Sequence, residues 1–287
     1  MTVTHVAHSH GDGTAALAPL LVLVVLAVGY VVLAARRRDD GRGWRPWRTA
    51  SFLAGCTLLA LASALPLLPD LAADFRGHVL QHLLIGMLGP LALVLAAPIT
   101  LVLRSVPPPR GRLIGRVLHS RAVHLVANPV SAAILGLGGL LALYLTPLYA
   151  ATTGSSVLHH LVHLHFLTAG CLFAWVIAGP DPAPRRPSVR ARLVVLGVAI
   201  AVHATLSQLM YAGAFVQIPV PADQRRGGAA LMYYGGDIAE LLLAFALVAT
   251  WRRRPERART AGSTVPVVAP DLSPARRLTE NRVRPPG

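Results

Sequence analysis

Two groups of histidines carry the residue types and spacing from which chemistry can be inferred. The first group is His78, Gln81 and His82, at the start of an apolar stretch. Positions i, i+3 and i+4 of a helix lie on one face, so these side chains are expected to project together. The second group, at the start of another apolar stretch, reads His159-His160-Leu-Val-His163-Leu-His165. Imidazoles paired at helical spacing can bind copper or zinc, and ligating histidines are oriented by hydrogen-bond acceptors such as carboxylates.

The stretches that carry these histidines belong to a chain with the composition of a membrane protein. Its mean hydropathy is +0.56 and only 14% of its residues are charged, against about 25% in soluble domains. Apolar stretches near or above the roughly 18 residues needed to cross a bilayer cover residues 15–35, 49–69, 78–103, 125–148, 157–178, 192–217 and 230–251. We therefore predict an all-α, polytopic membrane bundle of about seven transmembrane helices.

The distribution of arginine predicts the orientation of this bundle. All 27 basic residues are arginines, and all but Arg76, Arg225 and Arg226 lie in alternate loops or after Trp251. Positively charged loops face the cytoplasm, so we expect the N-terminus outside and the C-terminus inside. The same distribution accounts for the net charge of +15 by contact with anionic lipid rather than nucleic acid.

Three parts of the chain are distinguished by composition. Residues 1–14 form a polar, extracytoplasmic tail that contains His5, His8 and His10. Residues 15–251 form the seven-span domain, and residues 252–287 form a cytoplasmic tail rich in Arg and Pro that we expect to be disordered. The two cysteines, Cys56 and Cys171, lie within predicted spans and form no CxxC motif, so no disulfide framework is expected.

The predicted topology brings many polar side chains to the extracytoplasmic side. Ionisable groups within a membrane face the protein interior and are functional candidates. The candidate metal ligands are His78, His82, His160 and His163, with His159, His203 and Met210 as possible additional ligands and Gln81, Asp223, Asp237 and Glu240 as their hydrogen-bonding supports. Haem binding and ion conduction through the same histidines are the alternatives.

Three motifs resemble the polytopic CtaG family of cytochrome c oxidase assembly factors over about residues 45–252. The first is His78-x-x-Gln81-His82-Leu-Leu, followed by Gly89-Pro90-Leu and Ala97-Pro98-Ile-Thr. The second is His160-x-x-His163-x-x-Phe166, followed by Trp175 and Gly179-Pro180-Asp181-Pro182. The third is Asp223-Gln224-x-x-Gly227-Gly228. Their order along the chain is more specific than any one of them.

The resemblance implies a multi-pass protein of the bacterial plasma membrane that helps to place copper in cytochrome c oxidase. Oxidase subunits and the lipid bilayer are then the expected partners, and no nucleic acid is expected. The family is not understood as catalytic, and the chain has no nucleotide-binding glycine loop, so we predict no enzyme activity. A purely structural role, in which the histidines stabilise docking to an oxidase subunit, stays open at this point.

Overall fold

The computed structural model describes residues 11–38, 43–65, 68–184 and 186–262, and these residues are almost entirely helical, without a strand. The helices are α1 (Gly11–Arg36), α2 (Pro46–Ala64), α3 (Pro69–Ala72), α4 (Phe75–Leu83), α5 (Gly89–Leu95), α6 (Pro98–Ser105), α7 (Pro108–Leu118), α8 (Arg121–Val126), α9 (Pro129–Leu145), α10 (Leu148–Gly154), α11 (Ser156–Ile177), α12 (Val189–Ala212) and α13 (Ala222–Gly262). A π-helical turn, Leu84–Leu88, joins α4 to α5. The all-α prediction is confirmed for the described part of the chain.

Several helices are long and apolar enough to cross a membrane. Among the described residues there are five, or six if the bent pair α9 and α10 forms one span. The unbent candidates are Ala18–Arg36, Phe75–Leu95, Ser156–Ile177, Val189–Ala212 and Ala222–Thr250. The segment predicted at 49–69 corresponds to α2, which is not among these candidates and begins with Pro46, Trp47 and Arg48. The chain is thus a multi-pass membrane protein, whereas seven spans and the proposed orientation stay predictions.

The chain divides into two units, Met1–Trp251 and Arg252–Gly287. The first contains three groups of buried apolar side chains, which lie between α2, α4, α11 and their neighbours. The predicted tails, 1–14 and 252–287, lie largely outside the described residues, and with them His5, His8 and His10.

Proline interrupts the predicted third span twice. Pro90 has no N–H, so the carbonyl of Gly86 loses its α-helical donor, and the preceding turn is π-helical, with the Gly89 N–H bonded to the Leu84 carbonyl. At the second break, Ala97 has left-handed backbone angles (φ 58°, ψ 53°) and the chain restarts as α6 at Pro98. Both prolines thus lie where the regular α-helical hydrogen bonding of this span is interrupted.

Asp181 satisfies the backbone at the second break. One carboxylate oxygen accepts a hydrogen bond from the Ile99 N–H at 3.0 Å. The other accepts from the Thr100 N–H at 2.7 Å and from its hydroxyl at 2.6 Å. Asp181 is only 2% exposed, so this buried carboxylate is fully engaged as an N-terminal cap. The Gly-Pro-Asp-Pro motif thus has a structural role at the start of α6.

Gly170 of α11 lies directly against the first break. A Cβ atom there would overlap the carbonyl oxygen of Gly86 and lie 3.0 Å from the Pro90 ring. The Gly86 carbonyl, which has no α-helical donor because residue 90 is proline, therefore lies against the backbone of α11 at Gly170. This contact sets how closely α11 approaches the helix that carries His78 and His82.

The last helix begins earlier than the apolar pattern predicts. It starts at Ala222 rather than near residue 230, so Asp223-Gln224-Arg225 is its first turn and not a loop. Gln224 accepts from the Phe75 N–H at 3.3 Å, and Arg225 donates to the Met210 carbonyl at 3.0 Å. Polar side chains start this helix because they satisfy backbone groups at the ends of α4 and α12.

We expect Gly170→Ala to lower the free energy of unfolding by about 1–3 kcal/mol, the usual cost of forcing atoms into a packed contact. The matched control is Gly138→Ala on α9, where an added Cβ meets no atom within 4 Å. Unfolding of the detergent-solubilised protein, followed by circular dichroism, measures both. Equal stability of the two variants would contradict the close contact described here.

The orientation can be tested at two serines that cap neighbouring spans. Ser155 accepts from the Leu158 N–H before α11, and Ser188 accepts from the Ala191 N–H before α12. In intact cells, a membrane-impermeant maleimide should label Ser155→Cys and leave Ser188→Cys unlabelled until the membrane is permeabilised. The reverse pattern would overturn the predicted topology.

Candidate functional site

The two histidine groups meet inside the bundle. His78 and His82 lie one turn apart on α4, with ring centroids 4.3 Å apart. The ring of His82 in turn lies 5.3 Å from that of His163 on α11. Two helices that are distant in sequence therefore contribute imidazoles to one place, which the sequence alone could not establish.

His159, rather than His160, completes this arrangement. The ring centroid of His159 lies 4.1 Å from that of His163. His160 is exposed, and its Nδ1 lies 2.6 Å from the Ser156 carbonyl of its own helix. We call His78, His82, His159 and His163 the histidine group; among the predicted ligands, His160 lies at its edge.

Aromatic side chains enclose the buried end of the histidine group. Phe75 stacks on His78 at 5.8 Å, and Tyr149 of α10 meets the same ring edge-on at 4.9 Å. Phe166 packs edge-on against His82 at 4.8 Å. Tyr149 was not among the predicted site residues. Its approach to His78 depends on the 79° bend between α9 and α10, which the sequence pattern does not indicate.

Several nitrogen atoms of the histidine group have no hydrogen-bond partner. They are Nε2 of His78, both ring nitrogens of His82 and Nε2 of His163, and all are buried. An unpaired buried polar atom costs roughly 1–3 kcal/mol, so their clustering at one place calls for a ligand or water. In the described part of the chain, no three His, Cys, Asp or Glu side chains are arranged as a ready metal site.

Three residues predicted to support the ligands and Met210, predicted as a possible additional ligand, lie outside the histidine group. Gln81 donates to the Ala62 carbonyl of α2 at 2.9 Å, so it ties α4 to α2. Asp223 is largely exposed and lies 3.6 Å from the Arg76 guanidinium. Met210 is fully buried in the apolar core, and Asp237 is half-buried on α13.

His203 and Glu240 form a separate buried pair. Nδ1 of His203 lies 3.3 Å from one carboxylate oxygen of Glu240, while the other oxygen has no partner. Gly236, one turn before Glu240, makes room for the pair, because a Cβ there would overlap the His203 ring. His203, predicted as a possible additional ligand, is therefore paired with Glu240, which was predicted as a hydrogen-bonding support.

A cavity of about 130 Å³ extends between His82 and this pair. It is bordered by the π-helical turn, α9, α11, α12 and α13, and its walls are mainly apolar. Met87 and Met232 line it together with His82, His203 and Glu240. Neither methionine was among the predicted ligands. Met87 follows His82 by five residues, and regular α-helical spacing does not bring positions five apart onto one face.

The chain is similar to uncharacterised proteins of several mycobacteria. It is 31% identical over 254 residues to proteins of Mycobacterium bovis and Mycobacterium tuberculosis, and 31% identical over 255 residues to one of Mycobacterium leprae. Each alignment covers 82% of this chain but only 38% of the relative, so the chain spans well under half of these proteins.

No solved structure matches the chain significantly. A family model described as cytochrome c oxidase caa3 assembly factor matches residues 28–254, which includes every helix that contributes to the histidine group and the cavity. This chain therefore belongs to the Caa3_CtaG family of cytochrome c oxidase assembly factors.

Proposed function

We propose that this protein assists the assembly of cytochrome c oxidase by holding copper, as cargo, at the histidine group. The observation that carries the proposal is the convergence of four unpartnered, buried imidazole nitrogens from α4 and α11. Family membership supplies the oxidase as the recipient. The proposed location is the plasma membrane, because several helices are suited to span one.

The donor set suits copper better than a hard cation. Its members are imidazoles, which bind copper and zinc, whereas magnesium and calcium prefer oxygen ligands. The thiols are not involved, since Cys56 and Cys171 pack in two other apolar groups. Imidazole nitrogens without hydrogen-bond partners need not break protein contacts before they bind an ion.

An incomplete site is compatible with a carrier. A resident metal is held by a full, preorganised set of ligands, and the described residues contain no such set. A carrier must give its cargo away, so ligands supplied by the recipient subunit can complete the coordination during transfer. The exposed edge of the group, at His159 and His160, is where such a subunit would approach.

Bis-histidine haem ligation is less well supported by this geometry. The rings of His82 and His163 contact each other directly and Phe166 packs against one of them. A porphyrin between these rings would have to separate α4 from α11, which the Gly86 and Gly170 contact holds together. Copper, which is a single atom, does not require the two helices to separate by the thickness of a porphyrin.

We expect His82→Ala and His163→Ala to bind copper roughly tenfold or more weakly, a loss of about 1.4 kcal/mol or more. Copper content of the purified protein, measured by mass spectrometry after equilibration and dialysis, tests this expectation. Oxidase activity of membranes from cells that carry each variant in place of the parent tests the assembly role. Circular dichroism establishes that the variants are folded.

The adjacent histidines supply a matched comparison. His159→Ala should weaken copper binding, because its ring contacts His163, while His160→Ala should leave binding near the parental value. If folded His82→Ala and His163→Ala retain parental copper and parental oxidase activity, the proposed copper role is wrong.

A further inference from the structure

The methionines of this chain are concentrated in one place. Of its four methionines, the three beyond Met1 all belong to the apolar group around α4, α11 and α12. Met87 and Met232 line the cavity beside His82, whereas Met210 packs in the same group without lining it. Two thioether side chains and an imidazole therefore line one cavity.

The π-helical turn explains how Met87 reaches this space. In a regular α-helix, residues five apart point in different directions. The turn at Leu84–Leu88 follows i to i+5 hydrogen bonding, as the Gly89 N–H to Leu84 carbonyl bond shows, and it includes Met87. The local unwinding lets Met87 and His82 border the same cavity. Such π-bulges occur frequently at functional sites.

Two further observations point to a cation in this cavity. Both ring nitrogens of His82 lack partners although the residue is only 7% exposed. On another wall, one carboxylate oxygen of Glu240 also lacks a partner, with the residue 5% exposed. An apolar molecule would leave these atoms unsatisfied, at a cost of roughly 1–3 kcal/mol each, whereas a cation satisfies a lone pair on either residue.

The ligand types indicate which cation. Soft thioether donors favour Cu(I) over the harder divalent ions, such as magnesium, calcium and manganese, that prefer oxygen ligands. Uncharged sulphur and nitrogen ligands also avoid the cost of burying additional anions in apolar surroundings. A monovalent ion is the least costly cation to place there, since Born solvation costs rise with charge.

We propose that the cavity is a Cu(I) site in which His82 and the thioethers of Met87 and Met232 are the ligands. The inference rests on the proposed function, in that copper is taken as the cargo, and it adds an oxidation state and an inner location. His82 belongs to both the histidine group and the cavity. A copper ion bound to His82 would lie between the imidazoles of the histidine group and the thioethers of the cavity. It could therefore pass from one set of ligands to the other without entering the lipid.

Methionine also fills irregular gaps in apolar cores, and the experiment separates that role from ligation. The full chain, purified in detergent under anaerobic conditions, is loaded with Cu(I) and studied by X-ray absorption at the copper edge. We expect sulphur together with nitrogen in the first coordination shell. Nitrogen or oxygen scatterers alone would overturn the inference, and this measurement needs no variant.

Leucine substitutions provide the quantitative test, since Met and Leu exchange with little change in packing volume. Met87→Leu and Met232→Leu should each weaken Cu(I) binding about tenfold in competition with a Cu(I) chelator, and together they should remove the sulphur signal. Met210→Leu is the control, matched in burial to Met232→Leu, because Met210 is buried in the same apolar group but does not line the cavity. Equal losses in all three variants would overturn the inference.

The outcomes also separate this inference from the proposed function. If His82→Ala and His163→Ala lose copper while the bound ion shows only nitrogen scatterers, the histidine group carries the cargo and the thioether site is wrong. If the parent binds no Cu(I) or Cu(II) at all, both proposals fail.

Discussion

The fold depends on how an apolar bundle accommodates a backbone carbonyl that has lost its donor. In surroundings without water each unpaired backbone group is costly, so breaks in a spanning helix are tolerated only against protein. Pro90 removes the donor for Gly86, and the bare backbone of Gly170 comes into contact with that carbonyl. A side chain at Gly170 would overlap that carbonyl and separate α11 from α4 and α5. The meeting of His82 with His163 is therefore a consequence of a backbone contact one to two turns away.

At the second break the backbone is also accommodated by contact with protein, here with a side chain. At Ala97 the chain turns through a left-handed residue, and the exposed N–H groups of α6 are satisfied by Asp181. Arg186 also donates to the backbone carbonyl of Asp181. A small-residue contact serves the first break and a buried carboxylate serves the second. The two devices let one span depart twice from regular α-helical geometry, and the π-helical turn at the first break lines part of the cavity.

Much of this architecture could be predicted from the sequence because it follows from local pattern. Apolar stretches predicted the long helices, and the i, i+4 spacing predicted that His78 and His82 are neighbours. Contacts between helices could not be predicted in this way. His159 and His160 are equivalent by spacing to His163, and only the rotation of α11 decides that His159 joins the group. Gln81 likewise shares a helical face with the histidines by pattern, yet the proximity of α2 gives it a backbone partner. Met87 was missed because its position depends on a π-helical turn.

In the proposed role, the two kinds of donor around His82 would meet opposite requirements of a copper carrier. Selection of Cu(I) favours soft ligands, such as the thioethers that line the mainly apolar cavity. Release favours accessible ligands that a recipient can displace, and the partly exposed imidazoles at the edge of the group meet that need. A site with thiolates would bind Cu(I) more tightly but would add anionic charge to be buried and would slow release. Neutral thioethers and imidazoles avoid that additional charge. Since His82 lines the cavity and also contacts His163, the proposed transfer of copper between the two positions would pass through this one imidazole.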